Sequence, residues 1–213
     1  MRRLYGFLFV VAAIALLSGC ASPPDYTAFR AHRPRSVLVI PPLNESTDLK
    51  ATYGVLSTVT RPLAEMGYYV FPVAVIDQFL KENGMPTPGE MNQIPLKKVD
   101  EVIGADAALY LVVDQYGTKY QVLDSSTIVR MHARLVDVKT GTLLWTGAID
   151  LRDSSSSGSQ GLVGMLVSAA VNQVVAHSSD EAHKIAFTAS ANLFMTHNKG
   201  LLYGPYRPEF GTD

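Results

Sequence analysis

The sequence predicts an α/β (α+β) fold: one domain built on a mixed sheet of about five strands with flanking helices. Three observations lead there. Through the first hundred residues, short β-branched and aromatic runs alternate with stretches of helical period. Residues 107–115, 127–138 and 143–149 then follow as three strand-like stretches with only turns between them. Two long helix-like stretches close the chain, so the order β-α-β-α-α-β-β-β-α-α needs a sheet that is partly parallel and partly a meander.

Ser36-Val37-Leu38-Val39-Ile40 is a continuous apolar run that ends at Pro41-Pro42, where ladder donors are missing, so it reads as a buried first strand. Asn44-Glu45-Ser46-Thr47-Asp48 is a polar loop. A helix is expected over residues 49–66, stopped by Gly67. Residues 68–73 form a second strand and 74–82 a short helix ending at Asn83-Gly84. Pro86, Pro88 and Pro95 make residues 85–95 a loop, and 96–103 is a further short helix ending at Gly104.

In the meander, Val129, Met131, Ala133 and Leu135 alternate with Arg130, His132 and Arg134, so one set faces inward and the other outward. Asp137-Val138-Lys139-Thr140-Gly141 is the turn into a strand on which Leu143, Trp145 and Ile149 share the inner face. Residues 153–160 are serine-rich and read as a linker. Residues 161–176 are almost wholly apolar, with Gly164, Ser168 and Asn172 spaced four apart. A last helix, capped from Ser179-Asp180-Glu181, runs to about residue 197. Residues 201–213 are an irregular tail.

The N-terminus carries a separate signal. Arg2 and Arg3 precede an apolar run of 12 residues, 6–17, too short to span a bilayer but of signal-peptide length. Leu17-Ser18-Gly19-Cys20 follows and resembles the lipobox of bacterial lipoproteins. That resemblance implies removal of residues 1–19, a diacylglyceryl group on the thiol of Cys20, and acylation of the new amine. Ala21 in place of Asp favours outer-membrane sorting, facing the periplasm. Residues 20–34, with Pro23, Pro24 and Pro34, are then a lipidated tether, 35–200 the periplasmic domain and 201–213 its tail. Cys20 is the sole cysteine, so no intramolecular disulfide forms. Cleavage leaves 16 basic and 19 acidic residues, a balance that gives nucleic acid no basic surface to bind.

Few patterns suggest chemistry. There is no Gly-x-Ser-x-Gly elbow, and Gly158, Gly161 and Gly164 match neither a dinucleotide fingerprint nor a P-loop. His183 and His197 stand too far apart to chelate one ion. Asp100 and Glu101 diverge on a helix, and Asn44-Glu45-Ser46 is discounted as a glycosylation site. No catalytic residue, metal or cofactor is expected. The candidate partner-binding residues are Arg130, His132 and Arg134 on one strand face, and Gly164, Ser168 and Asn172 on the apolar helix. The first set reads either as a solvated sheet face or as a dock for an anionic partner. The second reads either as core or as a close-packing seam for self-association.

The run Pro62-Leu63-Ala64-Glu65-Met66-Gly67-Tyr68-Tyr69-Val70-Phe71-Pro72-Val73, followed by Asn83-Gly84, resembles a family of proteobacterial lipoproteins of unknown function that includes a genome-derived neisserial antigen. Pro41 and Asn44 after the first strand, and the turn 137–141 leading to Trp145, give a looser resemblance to CsgG-like secretion lipoproteins and the TolB N-terminal domain. These resemblances imply a periplasmic α/β module. They also imply an accessory role beside CsgG-like and other small lipoproteins in an outer-membrane secretion or assembly complex; the lack of a catalytic cluster makes that role non-enzymatic, and residues 161–176 add a homo-oligomer as a further expectation. The alternative is a lipoprotein that binds or hydrolyses peptidoglycan or a small ligand.

Overall fold

A computed structural model describes residues 24–121, 124–154 and 181–213. Its elements are α1 (Thr27–His32), β1 (Ser36–Val39), β2 (Leu43–Asn44), α2 (Ala51–Glu65), β3 (Tyr69–Val70), α3 (Val73–Glu82), α4 (Pro88–Met91), α5 (Leu96–Val102), β4 (Ala107–Gln121), β5 (Asp124–Asp137), β6 (Leu143–Ser154) and α6 (Glu181–Met195). The strands form one mixed sheet in the order β3-β1-β4-β5-β6, with β2 also pairing β4. Strands β3, β1 and β4 run parallel, as do β2 and β4, while β4, β5 and β6 form the antiparallel meander.

The apolar faces explain the layers. Val37 and Val39, Leu109, Leu111 and Val113, and Val129, Met131 and Leu135 point to one side and pack with α1, α2 and α6 in the main core. Thr58 and Ser190, both buried, satisfy each other at 2.8 Å where α2 meets α6. On the other side Leu38, Ile40, Ala108, Tyr110 and Val136 pack against Ile76 of α3, Met91 of α4 and Val99 of α5. The outward side is therefore covered over β1 and the start of β4, and the meander has two buried faces at that end rather than one.

Other expectations are corrected as well. Residues 27–32, read as tether, form α1: Phe29 is 3% exposed in the core and the Tyr26 hydroxyl donates to the Gly200 carbonyl at 2.7 Å. Two aromatic side chains in reach of the core turn a linker-like segment into part of the domain. Within residues 85–95, Thr87 and Glu90 close a capping box around α4. Leu143 is 51% exposed, because a bulge between Leu135 and Val136 shifts the register and puts Leu144 inside instead. Asp153 and Ser154, read as linker, continue β6 opposite Thr127 and Ser126. The second strand is shorter than expected, since Pro72 caps α3.

The two ends of the sheet differ. At the lower end β1 and β4 begin together, β5 ends and β6 begins, as Val37 faces Ala107, Ala107 faces Asp137 and Val136 faces Leu143. Asp106 secures that end, accepting from the Arg35 amide and from the amide and hydroxyl of Ser36. At the upper end the β4–β5 hairpin closes and β6 finishes beside it. The tail from residue 196 wraps the lower end without regular structure. The Gly204 amide donates to the Met66 carbonyl, the Tyr206 amide to that of Gly67, and the Tyr68 hydroxyl to that of Leu202. Gly204 is required here, since a Cβ would lie 2.3 Å from the Gly67 carbonyl oxygen.

His32 at the end of α1 pairs with Asp137 at 3.0 Å, and Asp137 also accepts the amide and hydroxyl of Thr140. Burial alone would raise the Asp137 carboxyl, but the Thr140 bonds and His32 outweigh it and hold it below the usual range. A carboxyl depressed on folding stabilises the fold above the ordinary value of about 3.9, and that contribution fades as pH falls through the folded value. Asp137→Asn is therefore expected to flatten the acid limb of a stability–pH curve measured by urea unfolding. An unchanged acid limb would show that the tie contributes nothing.

Candidate functional site

Above Tyr110 the outward face of the sheet lies beyond the cover of α3–α5. Its side chains follow from strand alternation. On β4 they are Tyr110, Val112 and Asp114. On β5 they are Arg134, His132 and Arg130, and on β6 Thr146, Ala148, Asp150 and Arg152. The register sets them in rows, with Arg134 between Tyr110 and Thr146, His132 between Val112 and Ala148, and Arg130 against Asp150. Small residues at the centre leave an open concavity of about 470 Å³ bounded by His132, Arg134 and Tyr110.

The three basic residues do share this face, as the alternation predicts, but acidic side chains pair with two of them. Arg130 Nε donates to Asp150 at 3.0 Å, and Arg152 bonds the same carboxylate at 3.2 Å. Arg152 first and Arg130 second hold the Asp150 carboxyl below its usual range. His132 Nδ1 lies 3.1 Å from Asp114. Asp114 is the extra residue of a β-bulge between Val113 and Gln115, which turns its carboxylate toward β5. Arg134 stacks on the Tyr110 ring at 4.3 Å. Burial raises the Tyr110 hydroxyl and the Arg134 charge opposes that rise. The result is a mixed-charge face with an arginine–tyrosine pair beside an apolar centre, rather than a purely basic stripe.

Sequence reasoning missed Tyr110, Asp114, Asp150 and Arg152. Alternation along β4 and β6 held the signal, but which basic residue each acid meets depends on register and bulges that no periodicity reveals. Cys20, Gly164, Ser168 and Asn172 lie outside the described residues. Asn44 is engaged inside its own loop, donating to the Asp48 carbonyl and accepting from the Ser46 amide. Among the described residues no group of three or more His, Cys, Asp or Glu is placed to hold a metal. Among them, too, no helix is long and apolar enough to cross a membrane.

A mixed-sheet domain with one open, mixed-charge face, on a chain whose residues 17–20 resemble a lipobox, fits the class of envelope lipoproteins, and a family match shows that class. Residues 24–206 match the family described as "Putative lipoprotein GNA1162-like". The chain belongs to that family, which places it in the cell envelope as a lipid-anchored protein. It is 44% identical over 201 residues to the "Putative lipoprotein NMB1124/NMB1162" of Neisseria meningitidis serogroup B, covering 92% of this chain and 93% of the relative. The crystal structure of lipoprotein GNA1162 from Neisseria meningitidis is similar at 48% identity and a TM-score of 0.57, over 67% of this chain and 99% of that one. A more remote likeness, to the PelC dodecamer from Paraburkholderia phytofirmans, has 15% identity and a TM-score of 0.45 over 81% of this chain and 91% of that one.

Proposed function

We propose that this lipoprotein is a non-enzymatic accessory component of an outer-membrane secretion or assembly complex, held by lipid on Cys20, facing the periplasm and docking CsgG-like or other small lipoproteins. The outward face of β4–β6 carries the reading. There, exposed Ala148, Thr146 and His132 flank a cation–ring pair, and β6 ends the sheet order at the side of that face. Such a face offers apolar contact at its centre and directional charge at its rim, the layout of a protein interface. The close spacing of Gly164, Ser168 and Asn172 supports a second contact through residues 161–176, with another copy or with the partner lipoprotein.

Site-specific photocrosslinking tests this in native membranes. Probes replacing Thr146 and Ala148 should give adducts with an envelope lipoprotein, while a probe at Lys98 on α5 should not. Equal labelling from all three positions, or none from any, would count against the reading. Cysteines placed at 164, 168 and 172 test the second contact in the same way.

A further inference from the structure

The position of α1 fixes which end of the domain meets the membrane. Only four Cα steps separate Cys20 from Pro24, so the lipidated residue lies within about 14 Å of the described domain. With α1 docked, no longer tether remains. Tyr26 and Phe29 are buried, and Arg30 donates to the Asp213 main-chain oxygen at 3.2 Å. The lipid must therefore sit beside the lower end of the sheet, where the tail from residue 196 also wraps.

That end has the chemistry of a membrane interface. Tyr206 is 68% exposed and Phe210 37%, an uncommon exposure for aromatic side chains that are not part of the core. Arg33 lies over the Phe210 ring at 5.5 Å and Lys199 is exposed beside Gly200, while Arg207, over Tyr203 at 4.3 Å, is held by Glu209 at 2.9 Å and by the Glu65 carbonyl. Aromatic rings with arginines beside them suit the headgroup layer, where one part of the side chain contacts acyl carbon and another contacts phosphate. The β4–β5 hairpin points the opposite way. From Asp137 to Ser126, β5 alone spans about 37 Å.

We propose that this lower pole is a headgroup-docking surface, with Tyr206, Phe210, Arg33 and Lys199 resting in the phosphate layer of the membrane that holds the lipid. The domain then stands end-on, its hairpin pointing away from the membrane and the outward face of β4–β6 open to the side. The proposal rests on the reading that Cys20 is lipidated.

The test uses the mature lipidated protein in vesicles of phosphatidylethanolamine and phosphatidylglycerol carrying a headgroup nitroxide quencher. The Cys20 sulfur is consumed by the lipid, so Thr212→Cys, exposed on the same pole but outside the docking residues, or Ser126→Cys supplies a single thiol for a fluorophore. Quenching should be several-fold stronger at 212 than at 126. It should stay so when a flexible Gly/Ser insert of about 16 residues is placed after Ala21, which would otherwise let the domain drift. Protein that does not float with the vesicles overturns the anchor reading, and this proposal with it. Protein that floats but is quenched equally at both positions, or that loses the difference with the insert, overturns the docking surface and leaves the anchor standing.

Discussion

Cys20→Ala is expected to abolish incorporation of a palmitate analogue and to leave an unprocessed precursor. The effect is all-or-none because, on the proposed lipidation, one residue supplies both the thiol for the diacylglyceryl group and the amine for the last acyl chain. Burial of acyl chains yields roughly 0.8 kcal/mol per CH₂, and a single chain holds only marginally. Two or three make a stable anchor, and the alanine variant has none. The described domain contributes no alternative, since among the described residues no helix is long and apolar enough to span. An alanine variant that still incorporates the label would refute the assignment of Cys20.

The second large effect is in the core. Trp145→Ala is expected to destabilise the domain by about 3–5 kcal/mol in urea unfolding. The residue is 4% exposed, packs on Phe194 at 6.0 Å between centroids, and donates from Nε1 to the Lys199 carbonyl at 2.9 Å. Its ring also lies across Gly147, where a Cβ would be 2.3 Å from its edge. The substitution therefore empties a large volume and unties the tail at residue 199. Arg134→Ala, on the neighbouring strand and the opposite face, should cost less than about 1 kcal/mol, since it loses only an exposed cation–π contact. Equal losses at Trp145 and Arg134 would mean that the strand register is wrong.

The sequence was most informative where one physical signal acted alone. Alternation in residues 129–135 assigned the faces of β5 correctly, and the proline and glycine stops located α2, α3 and α5 to within a few residues. It was least informative where a tertiary contact decided the outcome. Tyr26 and Phe29 make α1 part of the core, yet six residues among prolines show no periodicity to read. Bulges at Asp114 and near Leu143 re-aim side chains by shifting the register one residue, and only the partner strand reveals them. The same limit applied to the candidate surface. Its three basic side chains were legible on one strand. The acids that pair with two of them sit on neighbouring strands, Asp114 18 residues from His132 and Asp150 20 residues from Arg130. Such pairings have no meaning in the sequence until the register is known.

Docking through the outward face of β4–β6 is tested most directly by Ala148→Arg. Ala148 is exposed at the centre of that face opposite His132, and the change should leave folding stability within about 0.5 kcal/mol. The measurement is the size of the complex extracted from native membranes in mild detergent. The wild-type protein is expected to migrate in a large assembly, and Ala148→Arg, equally folded and equally anchored, as the free protein. An assembly of unchanged size in the variant would contradict docking through this face.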